Sequence, residues 1–148
     1  MVDASLIPIF ETIDNENLNS PFAVAAYYDV NIKYAPFPKN VLGLSEPHSR
    51  TIFINEDSDQ KYFVCGHEVI HTLLDEEVAP LLNTPYTFNS HIEHRADIGS
   101  FYMLLKMGQS EMAYEDGGTI TIPNFLRHFN INSKYYYELE SFFKNYVK

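Results

Sequence analysis

A chain of 148 residues, 45% hydrophobic and 20% charged, is long enough to bury a core as one domain spanning 1–148 without disulfides. Its formal net charge of -10 excludes the basic footprint that direct binding to nucleic acid or to an anionic membrane needs. One cysteine, no signal-peptide pattern and no apolar run near ~18 residues together lead us to expect a soluble cytoplasmic protein.

Residues 4–13 read as a short helix that ends in the polar run Asp14-Asn15-Glu16-Asn17. Ser20-Pro21 supplies an N-cap and a proline at the first helical position, so a second helix is predicted through about Tyr28. Residues 31–35 are predicted as a strand, closed by Pro36-Phe37-Pro38. Two more strands, 41–45 and 51–55, flank the turn-like Glu46-Pro47-His48-Ser49-Arg50, which gives a small antiparallel sheet. The next helix should begin near Ser58 or Asp59 and end near Asp75 or Glu76. Residues 76–89 carry two prolines and read as irregular. A further helix is expected from about His91 to Lys106, with Gly108 as its stop signal. Residues 114–121 read as a loop, or as a short strand at 119–121. A short helix at 123–129 and a final one at 134–146, capped by Ser133, complete the chain. Tyr136, Leu139, Phe142 and Phe143 are spaced to pack. Helices outnumber strands, so the fold class is α+β, with the tail at about 108–148 an integral part.

The chemistry concentrates in His67-Glu68-Val69-Ile70-His71, an H-E-x-x-H pattern. Four helical residues turn the chain by about 400°, so His67 and His71 project side by side from one face. Two imidazoles so placed suit one Zn²⁺, and Glu68, about 100° round, can reach a water at the metal. The apolar flanks Phe63, Val64, Val69, Ile70, Leu73 and Leu74 suit a buried helix. The bland alternative is a helix that happens to carry two histidines, and a third ligand is what separates the two.

A catalytic zinc takes three protein ligands and an open position. Glu93 lies near the start of the next predicted helix, with Asp97 four residues on and on the same face. In this spacing Glu93 would bind the metal, and Asp97 would accept a hydrogen bond from a ligand imidazole and fix its tautomer. Ser90-His91-Ile92-Glu93 also fits a capping box, in which Glu93 only caps its own helix, and Asp97 fits a solvated surface equally well. The upstream histidine pair favours the ligand reading. His91, His94 and Asp97 remain rival ligands, although His94 sits about 100° from Glu93 and cannot easily face the same metal.

Taken together these residues resemble the ImmA/IrrE family of small intracellular zinc metallopeptidases of phages, prophages and mobile elements. The resemblance covers about Pro21 to Leu105. It includes Pro21-Phe22-Ala23-Val24-Ala25, the strand at 31–34, Gly43, Thr51-Ile52-Phe53-Ile54-Asn55 and the H-E-x-x-H stretch. Asn83-Thr84-Pro85-Tyr86 is similar to an N-T-P-F stretch of some phage members, and Glu93-His94-Arg95-Ala96-Asp97 to the family's E-x-x-A-[DN]. The chain departs at Gly99-Ser100, where Phe-Ala is usual, and at Gly66, where Ala is usual; both read as packing positions. The resemblance implies a mainly helical, zincin-like α+β domain. In it the H-E-x-x-H helix packs against a second helix that carries the glutamate ligand. It makes His67, His71 and Glu93 the zinc ligands and Glu68 the general base.

The implied reaction is metal-assisted peptide hydrolysis, in which zinc lowers a water's pKa from ~15.7 toward ~7 and Glu68 accepts its proton. Tyr86, His91 and Tyr102 are candidate oxyanion donors by nearness in sequence alone. His48, His128 and Cys65 read as ordinary surface or core residues, and the run Tyr135-Tyr136-Tyr137 as packing or a partner face. By resemblance the partner and substrate is a helix-turn-helix transcriptional repressor. The alternative is a non-proteolytic module that keeps the metallopeptidase fold and sequesters the repressor.

Overall fold

The computed structural model describes residues 3–76, 78–82, 90–110 and 120–147. A 3-10 turn at Ala4–Leu6 leads into α1 (Ile7–Asn15), and α2 (Pro21–Tyr27) follows. Ser20 caps α2 by accepting the Ala23 N–H at 3.0 Å, with Pro21 at the first helical position as the sequence predicts. Three strands come next, β1 (Asn31–Ala35), β2 (Val41–Glu46) and β3 (Thr51–Asn55), then α3 (Lys61–Leu74). The remaining elements are β4 (Ala79–Leu82), α4 (Ser90–Ser110), α5 (Ile122–Phe129) and α6 (Tyr136–Tyr146). The class is α+β. Among the described residues no helix is long and apolar enough to cross a membrane.

The sheet is mixed rather than antiparallel, with strand order β1-β3-β2-β4. β2 runs antiparallel to β3 and to β4, but β1 pairs with β3 in parallel, Ile32 opposite Ile52. Pro36 and Pro38 cannot donate to a ladder, so β1 and β2 do not close as a hairpin. β3 inserts between them instead. Asn55 helps hold the connection, its Nδ2 donating to the Val41 carbonyl at 2.8 Å. β4 corrects the irregular reading of 76–89: Pro80 sits opposite Leu44 on an outer strand, where a proline's missing donor does least harm. Residues 83–89, which include the Asn83–Tyr86 stretch, lie outside the described residues, as does 111–119 and with it most of the expected 114–121 loop.

α3 is the centre of the packing. Ten consecutive residues, Phe63 to Thr72, are buried, the signature of a helix enclosed on all sides. Burying side chains such as Phe63 and Ile70 completely stabilises the fold by about 2 kcal/mol each. One side of α3 meets β2 and β3, the other meets α4. Glycines set both distances. A Cβ on Gly43 would lie 2.6 Å from Val64 Cγ1 and 3.1 Å from Glu68 Oε2. On the α4 side, a Cβ at Gly66 would lie 2.5 Å from Ser100 Oγ, and one at Gly99 would lie 2.4 Å from Ile70 Cγ1. Gly66, Gly99 and Ser100 therefore form one close helix crossing. Ser100 Oγ seals it by donating to the Phe63 carbonyl at 2.7 Å.

Helix ends differ from the sequence reading by a few residues, with α1 reaching Asn15 and α3 starting at Lys61. α4 runs through Gly108 to Ser110 because Leu104, Leu105 and Met107 are buried against the core there. The last helix is preceded by a 3-10 turn, Ser133–Tyr135, which Asn132 caps by accepting the Lys134 N–H at 2.9 Å, and α6 itself starts after Tyr135 with no side-chain cap.

Candidate metal centre

The close crossing of α3 and α4 brings four side chains to one buried point. His67 and His71, one turn apart on α3, face each other with their Nε2 atoms 3.0 Å apart. Glu93, in the first turn of α4, spans them: Oε2 lies 2.9 Å from His67 Nε2 and Oε1 lies 3.1 Å from His71 Nε2. Both Glu93 oxygens are engaged by the imidazoles. The donor atoms of His67, Glu68 and His71 also all lie within 4.8 Å of one another.

The far nitrogens are held by carboxylates. Asp97 Oδ1 lies 2.8 Å from His67 Nδ1, and Asp75 Oδ2 lies 2.8 Å from His71 Nδ1. A carboxylate on each Nδ1 makes that nitrogen the N–H donor and leaves Nε2 able to offer a lone pair. Asp97 is where the E-x-x-x-D spacing predicts. Asp75 was missed, although it stands four residues after His71, the same one-turn spacing. It ends α3 in an extended conformation, its N–H on the His71 carbonyl at 2.8 Å, and Arg95 Nη2 braces its other oxygen at 2.5 Å.

Charge follows from this packing. Burial alone would lower the pKa of His67, but its bonds to Asp97 and Glu93 outweigh burial and carry it well above the ordinary imidazole value. His71 is raised in the same way by Asp75 and Glu93, again against burial. Burial works to raise Glu93, yet the two imidazoles win and hold it down at about 2. Glu68 behaves oppositely. Burial, with Glu93 adding to it, pushes its carboxyl up to about 7 against the pull of His67 and His71. Among the described residues neither Glu68 oxygen has a hydrogen-bond partner of good geometry, although the Ser45 hydroxyl is near enough to act to lower the Glu68 pKa.

Buried polar atoms without partners mark a place where something polar belongs. Two imidazole nitrogens and a carboxylate are a donor set that Zn²⁺ accepts. Donors around a tetrahedral zinc stand about 3.4 Å apart, given bonds of ~2.1 Å. The observed 2.9–3.1 Å separations need only a few tenths of an ångström of spreading. The residues present fit the ion.

Other residues singled out in the sequence lie elsewhere. His91 is exposed, with Nε2 3.5 Å from Asp3, and His94 points to Glu138 at 2.7 Å rather than to the donor cluster. Tyr102 stacks on Phe10, its hydroxyl spent on Asp14 at 2.8 and 2.9 Å, so it serves packing rather than an oxyanion. Tyr86 is outside the described residues. Cys65 is buried, its thiol pushed up by burial and then by Glu68, and it is not in the cluster. His48 and His128 are exposed. Tyr135 packs on Phe63 and Phe101, while Tyr137 is 82% exposed.

The fold and the cluster define an α+β protein with a His-His-Glu donor set beside a buried glutamate. In comparisons with known proteins, no family model, no curated protein and no solved structure matches the chain.

Proposed function

We propose that this chain is a zinc-dependent endopeptidase of the ImmA/IrrE kind, built on a zincin-like arrangement of α3 and α4. The observation that carries the reading is the convergence of His67, His71 and Glu93 beside a buried Glu68 whose oxygens have no partner among the described residues. His67, His71 and Glu93 would hold the ion. Bound there, zinc would act as a Lewis acid toward the peptide carbonyl and make a water acidic enough to attack near neutral pH.

The rest is the work of the chain's own groups. Glu68, with a carboxyl poised at about 7, is matched to taking a proton from the attacking water and passing it to the leaving amine. Asp97 and Asp75 keep the imidazoles turned, so that neither Nε2 can swing away. Gly43 lets β2 approach Glu68 closely, and the dry wall it forms keeps bulk water from levelling that pKa.

The substrate class we propose is a helix-turn-helix transcriptional repressor, a basic partner that a chain of net charge -10 would attract at long range. Co-expression with the repressor encoded beside it tests the reading. Wild type should produce repressor fragments. Glu68→Gln should keep zinc and fold but cut at least about a hundredfold more slowly, the scale of losing a general base. Fragments of equal yield from both would remove Glu68 from the mechanism. Loss of repression with the repressor intact would instead favour sequestration.

A further inference from the structure

Asp3 and the 3-10 turn Ala4–Leu6 lie over the crossing of α3 and α4, and three contacts fix them there. Leu6 is completely buried, and its Cδ2 would stand 3.5 Å from a Cβ on Gly99, where α4 admits Ile70 of α3. Ser5 Oγ donates to Asp3 Oδ1 at 2.5 Å and accepts from Arg95 Nη1 at 3.4 Å. His91, one turn before Arg95 on α4, places its Nε2 3.5 Å from Asp3 Oδ2. Nothing in the H-E-x-x-H motif or in the E-x-x-x-D spacing anticipates residues 3–6 at this place.

Arg95 connects this turn to the donor cluster. Its other terminal nitrogen, Nη2, donates to Asp75 Oδ1 at 2.5 Å, and Asp75 Oδ2 receives the His71 Nδ1–H at 2.8 Å. A continuous path of hydrogen bonds thus runs Asp3–Ser5–Arg95–Asp75–His71. Every group on it has a consistent role: Ser5 gives its proton to Asp3 and takes one from Arg95, and each Asp75 oxygen takes one. The planar guanidinium fork makes the path possible, because its two terminal nitrogens reach two elements at once. A lysine ammonium is a point charge and would serve one of those acceptors well, not both. Asp75 needs such a holder, since it follows the last turn of α3 in extended backbone and no helix fixes its side chain. With Arg95 15% and Asp75 10% exposed, water competes little for the pair.

We propose that Arg95 is a positioning residue of the metal centre, which holds Asp75 on the Nδ1–H of His71 from an anchor at Ser5 on the N-terminal turn. α4 then governs both histidines. Glu93 and Asp97 meet the cluster directly, while Arg95, about 200° round the helix from Glu93, reaches His71 through Asp75. The consequence for metal rests on the metal-centre reading. The placement of His71 does not, because it is made among this chain's own side chains.

Full-length Arg95→Ala, Arg95→Lys and Ser5→Ala test the proposal by two readouts. The first is the NMR signal of the His71 Nδ1 proton in chelator-stripped protein. The second is zinc affinity by competition with a chromogenic chelator. In Arg95→Ala the proton signal should broaden into exchange with water and zinc affinity should fall about tenfold, the lower end for groups that orient a ligand. Ser5→Ala and Arg95→Lys should each move both readouts the same way by less, about threefold in affinity on that scale. The deciding measurement repeats Arg95→Ala in an Asp75→Ala background. A group that acts through Asp75 has nothing left to act on there, so affinity should change by less than about twofold. The full tenfold loss in both backgrounds, or no loss in Arg95→Ala alone, would overturn the proposal, and an unchanged Ser5→Ala would overturn the anchor. If Arg95→Ala does not fold, Arg95→Lys decides: partial loss supports the fork, and wild-type readouts contradict it. Should wild type take up no zinc, the metal reading falls while the Nδ1 signal still decides Arg95.

Discussion

The two histidines of the candidate centre have the same neighbour and opposite surroundings. Each Nδ1 meets an aspartate at 2.8 Å. Asp75 stands four residues after His71 at the end of α3 and is braced from α4 by the Arg95 guanidinium. Asp97 comes from α4 itself. One aspartate is thus local to its histidine and the other reaches it across the helix crossing, and removing each should expose that difference.

The largest effect is expected at Asp75. Asp75→Ala takes the acceptor from His71 and leaves the mostly buried Arg95 guanidinium without its carboxylate. Zinc affinity should fall about 10- to 100-fold. The zinc-free protein should also lose about 2–3 kcal/mol in denaturant unfolding, the scale of an uncompensated charged hydrogen bond. Asp97→Ala should match it in zinc affinity, again about 10- to 100-fold, but cost only about 1 kcal/mol of stability, the scale of a single hydrogen bond. Equal destabilisation by the two variants would show that the two sides are not backed differently.

Glu68 sits between the two sides, and its effect has a pH signature. A carboxyl raised from its ordinary range to about 7 binds its proton more tightly folded than unfolded. Its ionisation therefore penalises folding increasingly from about pH 4.5 to 7 and fully above that. Zinc-free Glu68→Gln should be more stable than wild type at pH 8, by up to about 3 kcal/mol at 1.36 kcal/mol per unit, and equal to it near pH 4.5. Thermal melts across that range read the difference, and a constant offset at all pH values would assign it to packing instead.

A smaller effect tests the crossing that brings the two sides together. Gly66→Ala pushes a methyl to within 3.0 Å of the Ser100 Cα and should cost about 1–2 kcal/mol, with a few-fold loss of zinc affinity as Glu93 is levered away. Adding Ser100→Ala, which removes the nearest atom at 2.5 Å, should recover part of the loss. No recovery would mean that backbone, not side chain, sets the contact.

What could be read from the sequence divides along the same line. His67, Glu68 and His71 were legible because helical periodicity alone puts them on one face, and Glu93 with Asp97 because the same four-residue step repeats on α4. Asp75 obeys that step too and was passed over only because it falls where the helix was expected to end. Glu138 was not legible: it meets His94 across 44 positions, through the docking of α6 on α4, which no local pattern encodes. The parallel pairing of β1 with β3 escaped for a similar reason, since hydrophobic alternation marks a strand but not its partner. β4 escaped because Pro80 reads as a breaker when the outer position that tolerates it is unknown.

The central claim is that His67, His71 and Glu93 together hold one metal ion. Zinc content of the purified protein by elemental analysis, for wild type and for Glu93→Ala, tests it most directly. We predict about one zinc per chain in wild type, as one four-coordinate site requires, and little in the variant once weakly held metal is dialysed away. Wild type without zinc, or Glu93→Ala holding as much as wild type, would contradict the account.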